Sequence, residues 1–161
     1  MGLDIAQATA ADAEVIATIL GEVEEYYGGE LIAPPVADVA AALFGGQPAA
    51  RVLLARQGDQ VVGLAAVCRL WPAAGADTSL YLKELFVRSA ARRRGVARAL
   101  MTAVRDEARA AGCARVEWTA DRDNPPALEL YAALGVEPEQ SKVFYRTTVG
   151  SAPVEADRPA E

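Results

Sequence analysis

Residues 80–87 read Leu-Tyr-Leu-Lys-Glu-Leu-Phe-Val, an apolar and β-prone run. The chain then passes through Arg88-Ser89-Ala90-Ala91-Arg92-Arg93-Arg94-Gly95 and changes period: Val96, Leu100, Val104 and Ala108 recur at four-residue spacing before Gly112. A strand that feeds a tight turn and then a helix is half of a parallel crossover, so this stretch already demands a layered sheet-and-helix fold. It also makes a site for an anion. The first helical turn leaves backbone N–H groups without partners, and the helix dipole favours negative charge there. Gly95 lets the backbone come close to a ligand, and small Ala97 does so a little less freely. Arg92, Arg93, Arg94 and Arg98 add charge that does not titrate. Taken alone, the loop also fits the lesser alternative of a charged helix start facing solvent.

The rest of the chain supplies the layers. Residues 3–8 alternate as a first strand. Thr9 with Asp12 reads as a helix start with an acidic partner three residues on. The helix that follows places Ala13, Ile16, Ala17, Leu20 and Val23 on one face, ends in Glu22, Glu24, Glu25, Tyr26 and Tyr27, and stops at Gly28-Gly29. Residues 36–44 read as a second short helix after Pro34-Pro35. Residues 51–56 and 60–70 read as strands joined by the turn Gln57-Gly58-Asp59. After the helix at 94–111 come a strand at 113–120 and a helix opened by Pro125-Pro126 and closed near Leu134-Gly135. Residues 142–149 read as a final strand. The order β-α-α-β-β-β-α-β-α-β predicts an α+β fold with a mixed sheet flanked by helices. Residues 1–149 make one domain, and 150–161, without periodicity, read as a disordered tail.

Composition excludes much of the remaining chemistry. The 161 residues contain no histidine, so no Ser-His or Cys-His nucleophile pair exists, and a zinc site would rest on carboxylates and two distant cysteines. Proton transfer falls to Asp, Glu, Tyr, Lys, Cys or water. A net charge of −6 argues against a nucleic-acid partner. No apolar run approaches membrane-spanning length, and Met1-Gly2-Leu3-Asp4 is not a basic, apolar leader. With Cys68 and Cys113 read as reduced core residues, these features point to the cytoplasm.

A second motif follows the strand at 113–120: Asn124, then Ala127, Tyr131 and Gly135. Ala127 and Tyr131 lie one helical turn apart on one face. Asn124 suits a helix N-cap, a ligand contact, or both. Arg92-Arg93-Arg94-Gly95-Val96-Ala97 resembles the pyrophosphate loop of the GNAT superfamily of acetyl-CoA-dependent N-acetyltransferases: Arg or Gln, two residues, Gly, one residue, Gly or Ala. The second motif resembles that family's Asn-x2-Ala-x3-Tyr-x3-Gly-Phe, with Val136 in place of Phe. The likeness spans residues 3–149 and implies the GNAT fold. It implies that acetyl-CoA is held by Arg92, Arg93, Arg94, Gly95, Val96, Ala97, Arg98 and Asn124, with backbone contacts from Leu85, Phe86 and Val87. It also implies that Tyr131 is the general acid toward the leaving thiolate.

The proton acceptor has to be read from the residues. An alkyl amine is almost wholly protonated at neutral pH, so a base or a water chain must take a proton. Glu84 lies in an apolar strand and is open between an ion pair, with Lys83 or an arginine, and the catalytic base. Strict alternation places it on one face with Leu82 and Phe86, with Lys83 opposite. Residues 80–87 and the end of the first helix are similar to the diamine and thialysine acetyltransferase subgroup, but Lys83 stands where that subgroup has the first of two acids. Apart from Arg88, Arg92, Arg93, Arg94 and Arg98, the chain carries 11 basic residues against 22 acidic ones. This favours a small cationic primary amine as acceptor, with Glu24, Glu25 and Tyr27 beside it. Acetylation of a protein N-terminus or lysine, and a non-catalytic acyl-CoA-binding module, remain the alternatives; a homodimer stays open.

Overall fold

The computed structural model describes residues 2–150. Five strands form one sheet in the order β1 (Leu3–Gln7), β2 (Arg51–Gln57), β3 (Gln60–Leu70), β4 (Ser79–Val87) and β5 (Arg115–Glu117). The first three pairings are antiparallel and β4–β5 is parallel, so the sheet is mixed. The helices are α1 (Ala13–Tyr26), α2 (Val36–Phe44), α3 (Val96–Ala110) and α4 (Pro125–Ala133), with 3-10 turns at Ala10–Asp12 and Ser89–Ala91. Among the described residues no helix is long and apolar enough to cross a membrane.

Each face of the sheet carries its own core. α1 and α2 bury Ile16, Ile19, Val23 and Val39 against Leu54, Leu64 and Phe86. Ala13, Ile16, Ala17 and Val23 are buried as expected; Ile19 joins them fully buried, and Leu20 packs at the edge of that core, half-buried. On the other face α3 buries Val96, Leu100, Met101, Val104 and Ala108 against Leu53, Ala65, Leu80 and Leu82. Thr9 and Asp12 act as expected at the entry to α1: the Asp12 carboxylate accepts the Thr9 backbone N–H at 2.8 Å. Burial works to raise the Asp12 pKa, but that bond and the Arg56 guanidinium outweigh it and hold it below the usual value.

Two expectations fail toward the C-terminus. β5 is three residues long rather than spanning 113–120; Cys113 precedes it and is half-buried beside the α3 core, as Cys68 is half-buried in β3. Residues 142–149 form no strand, and Val143, Phe144, Tyr145 and Val149 are exposed. A strand exists only by pairing with a neighbour, and so short a β5 offers little edge to pair with. The expected tail at 150–161 lies, apart from Gly150, outside the described residues.

Candidate active site

The site begins where the sheet opens. β4 and β5 pair only at Ser79–Arg115, Leu80–Val116 and Tyr81–Glu117. From Leu82 to Val87, β4 runs on without β5 beside it, while its other edge stays paired to β3. Beyond Tyr81 the β5-facing edge of β4 therefore has no strand partner for its backbone groups.

A bulge resets the strand just there. Ala66 pairs with Glu84 and Val67 with Leu82, so Lys83 is the extra residue. Leu80 and Leu82 belong to the α3-side core, and beyond the bulge Leu85 and Val87 take over that face. Phe86 belongs to the α1-side core. Glu84 thus shares a face with Phe86 and not with Leu82, correcting the strict alternation. A one-residue shift moves every later side chain to the other face. Here it carries Glu84 toward α1.

β4 leads into the arginine loop. Arg93 adopts φ 63°, unusual for a residue with a side chain, and Gly95 adopts φ 82° as the N-cap of α3. These left-handed residues delay the helix start from the expected residue 94 to Val96. The first α3 bond is Ala99 N–H to Gly95 C=O, and no side chain caps the N-terminus. The N–H groups of Val96, Ala97 and Arg98 are left over by helix geometry. Arg93, Arg94 and Arg98 are exposed, whereas the Val96 side chain is buried, leaving only its backbone to face a ligand. A Cβ on Gly95 would meet no atom within 4 Å, so the approach to the loop is clear. The features of this turn suit a pyrophosphate.

Arg92 behaves differently from its neighbours. Its Nε donates to the Val87 carbonyl at 2.9 Å. Its guanidinium carbon lies 4.9 Å from the Tyr26 ring centroid and 5.4 Å from that of Phe86. Arg88 is engaged as well: it forks onto the Glu22 carboxylate and donates to the Val61 carbonyl. These arginines line a groove of about 610 Å³ off the end of β4 with Glu22, Glu25, Tyr26 and Phe86.

Tyr131 and Glu84 lie outside that groove and within electrostatic reach of each other. Burial, then the charges of Tyr27 and Glu84, push the Tyr131 phenol up to about 12. Its ring packs against Trp118, centroids 5.1 Å apart. Burial also raises the Glu84 pKa. Lys83 and the Leu85 backbone N–H pull it down, and the carboxylates of Glu24 and Asp121 reinforce the rise. Tyr27 is raised by burial, then by Glu84, Asp121 and Tyr26. The structure thus gathers Glu84, Tyr131, Tyr27 and Glu24 around the β4 opening. Glu25, one position on and about 100° around the helix, lines the groove instead.

Asn124 precedes α4 but does not cap it with its side chain; Oδ1 accepts the Tyr26 hydroxyl at 3.1 Å. Sequence reasoning missed Tyr26, Trp118 and Asp121. For Asp121 the only signal was its place in the loop before Asn124. For Tyr26 it was adjacency to Tyr27.

A family model described as Acetyltransferase (GNAT) family matches residues 16–136. The chain belongs to that family. It is therefore an acetyltransferase, of a family whose acyl donor is acetyl-CoA, and the sheet and helices above are its GNAT fold. An integron cassette protein from the mobile metagenome of V. cholerae is 30% identical, with a TM-score of 0.80, covering 93% of this chain and 94% of its own. An aminoglycoside acetyltransferase from an uncultured soil metagenomic sample is 28% identical at a TM-score of 0.72, covering 92% and 99%. An aminoglycoside N-acetyltransferase solved in complex with CoA, 22% identical over 91% and 95% at a TM-score of 0.73, shares the fold. Among curated proteins none matches the chain.

Proposed function

We propose that this GNAT domain, residues 1–149, is a cytoplasmic enzyme that moves an acetyl group from acetyl-CoA directly to a primary amine on a small cationic molecule. The observation that carries the reading is the grouping of Glu84, Tyr131 and Tyr27 where β4 loses its β5 partner. Acetyl-CoA supplies the activated acyl group as a thioester. Arg93, Arg94, Arg98 and the N–H groups from Gly95 to Arg98, Val96 and Ala97 among them, hold its pyrophosphate. Arg92 contributes charge from its anchored position, and Asn124 with the free edge at Leu85, Phe86 and Val87 holds the pantetheine arm. A backbone N–H on that edge receives the negative charge that gathers on the acyl oxygen.

The proton balance sets the roles of the two side chains. An amine with pKa ~10.4 arrives as the ammonium and must lose one proton before it can attack. Glu84, whose pKa burial raises, takes that proton in its carboxylate form or relays it through water. As the new C–N bond forms and the C–S bond breaks, a second nitrogen proton is released and the sulfur needs one. The Tyr131 phenol at about 12 is a weaker acid than a thiol near ~8.5. It stays protonated throughout the working range and donates to the departing sulfur, being repaid from the nitrogen. Glu24, Asp121 and Tyr27 seat a cationic acceptor, and Glu25, facing the groove, only adds to the field that draws it in. The aminoglycoside acetyltransferases among the structural relatives support this acceptor class.

Thiol release from acetyl-CoA over a panel of aminoglycosides, diamines, polyamines and zwitterionic amino acids tests the proposal. Turnover should be highest with polycationic amines. Turnover with neutral-tailed amines alone would remove the cationic acceptor, and no thiol release with any amine would remove the small-molecule reading.

A further inference from the structure

Tyr26 is exposed (42%) at the last position of α1, yet three different elements hold it. Its hydroxyl donates to Asn124 Oδ1 at 3.1 Å, across to the segment that opens α4. Its ring stands edge-on to Phe86 of β4, centroids 6.0 Å apart, and to Tyr27 at 5.2 Å. The Arg92 guanidinium covers it at 4.9 Å, with Nε tied to the end of β4. An exposed tyrosine in such contacts is held to fewer rotamers than one without them. This one touches both segments that the proposed function gives to the acyl donor and belongs to the helix that it gives to the acceptor.

We infer that Tyr26 is a positioning residue that orients Asn124 and Arg92 for the acyl-CoA donor and so ties the donor's seat to the acceptor-side helix. A side-chain amide has one carbonyl oxygen and one NH2 group. With Oδ1 accepting the Tyr26 hydroxyl, the amide is fixed in one of its two flips and the Nδ2 donors remain for a donor carbonyl. Asn124 does not cap α4 with its side chain, and Pro125 and Pro126 have no N–H that would call for it, so the amide is free for this role. Arg92 has spent Nε on Val87, and its guanidinium carbon lies close to both rings of the aromatic pair. Only its terminal N–H groups remain for phosphate. Losing the hydroxyl frees the amide to rotate, and losing the ring frees the guanidinium. Both losses fall on donor binding and leave the proton-transfer groups in place.

This inference rests on the acyl-CoA reading, so the experiment separates the two. Coenzyme A affinity is measured by titration calorimetry for the parent chain, Y26F, N124A and Y26F/N124A, with acetyl-CoA KM and kcat from thiol release and Tm for each. Y26F should weaken coenzyme A roughly three- to tenfold, the range for one hydrogen bond. The fall in kcat/KM should reside in KM, and Tm should shift little. In the double variant the Y26F loss should disappear, because the hydroxyl acts through Asn124. Y26L, which removes the ring too, should weaken binding further, with that extra loss present at low salt and reduced at high salt, as an Arg92–phosphate contact would be. A parent chain that does not bind coenzyme A overturns the donor reading and this inference with it. A parent that binds, with Y26F binding equally well or with Y26F and N124A losses simply multiplying, overturns this inference alone.

Discussion

The C-terminal end of α1 and the N-terminal end of α3 carry charge of the wrong sign for stability, whereas their far ends carry the right one. α1 has Glu14 in its first turn, where the dipole is positive, but closes on Glu22, Glu24 and Glu25 with no basic residue in its last turn. α3 has Arg109 in its last turn, where the dipole is negative, but opens on Arg94 and Arg98 with no acid in its first turn. Each misplaced exposed charge costs ~0.3–1 kcal/mol. Burying one large apolar side chain such as Leu100 of α3 or Ile16 of α1 returns ~1.5–3 kcal/mol, so the fold tolerates the mismatch. What the mismatch produces is a pair of reinforced fields, negative on the side proposed for the acceptor and positive on the side proposed for the donor. Arg88 paired to Glu22 makes a neutral seam between them. That pair also takes Glu22 out of the acidic set that could steer a cation.

The largest effect is expected between the two fields, at Tyr131. Tyr131→Phe keeps the ring against Trp118 and removes the hydroxyl. kcat should fall by ~10²–10⁴-fold, the usual worth of a positioned acid, with acetyl-CoA KM within about twofold of the parent. If single-turnover chemistry is unchanged, Tyr131 is a packing residue and the fields converge on nothing reactive.

Glu84→Gln should come next, at or below the low end of that ~10²–10⁴ range. The parent's rate should rise with pH as Glu84 ionises, through a midpoint above the ordinary carboxyl value; Gln should flatten that limb. The sign for stability is opposite to that for activity. Between the unfolded carboxyl pKa of ~4.3 and the raised folded value, the folded state binds more protons, so the Glu84 contribution declines as pH rises through that window. Glu84→Gln should therefore gain in Tm at neutral pH relative to acid pH. A variant with an unchanged pH–rate profile would assign the base to water or another carboxylate.

The same helix ends explain what the sequence let one read. β4, the loop and α3 were legible because a strand, a positive-φ glycine and a 3.6-residue period are local signals, and α3 buries the residues its period named. α1 was legible as a helix, although its buried face turned out to include Ile19. The Lys83 bulge was not legible, because β4 by itself reads as a regular strand; the extra residue appears only in its pairing with β3. Residues 142–149 failed for the same reason in reverse: a β-prone run became no strand because a strand depends on its neighbour. Within the site, Tyr131, Glu84 and Tyr27 were named from sequence. Arg92 was named among the cofactor-binding residues, but its Nε bond to Val87 and its approach to the Tyr26 ring are contacts that no sequence pattern encodes.

The donor-side field can be weakened directly. Arg94→Gln with Arg98→Gln should raise acetyl-CoA KM by roughly tenfold or more, tenfold being near the low end for one charge-assisted hydrogen bond. The penalty should be greatest at low ionic strength and shrink as salt rises. Tm should rise at the same time, because two cations leave a positive helix end. A fall in both affinity and Tm would mean that these arginines hold the fold together and do not serve a ligand.

The smallest effects belong to the acceptor side, where Glu24 and Glu25 part company. Both sit at the negative end of α1, so Glu24→Gln and Glu25→Gln should each stabilise by ~0.3–1 kcal/mol, a Tm gain of roughly one to four degrees for a chain of this size. Either change should lower kcat/KM for a diamine or aminoglycoside a fewfold at low salt, with the curves converging as salt screens the field. They should differ in pH dependence. Glu24 is one of the charges that hold Glu84 up, so its removal should shift the acid limb of the rate profile to lower pH. Glu25 faces the groove beside Arg88 and Arg92, and its removal should leave that limb where it is. Full pH–rate profiles at two salt concentrations, run with one cationic and one neutral-tailed amine, separate the cases. If Glu24→Gln and Glu25→Gln leave the salt slope of the cationic amine untouched, the acidity of α1 serves only to keep the protein apart from its neighbours. If both move the acid limb equally, the helix end acts as one diffuse field and the division between the two carboxylates is wrong.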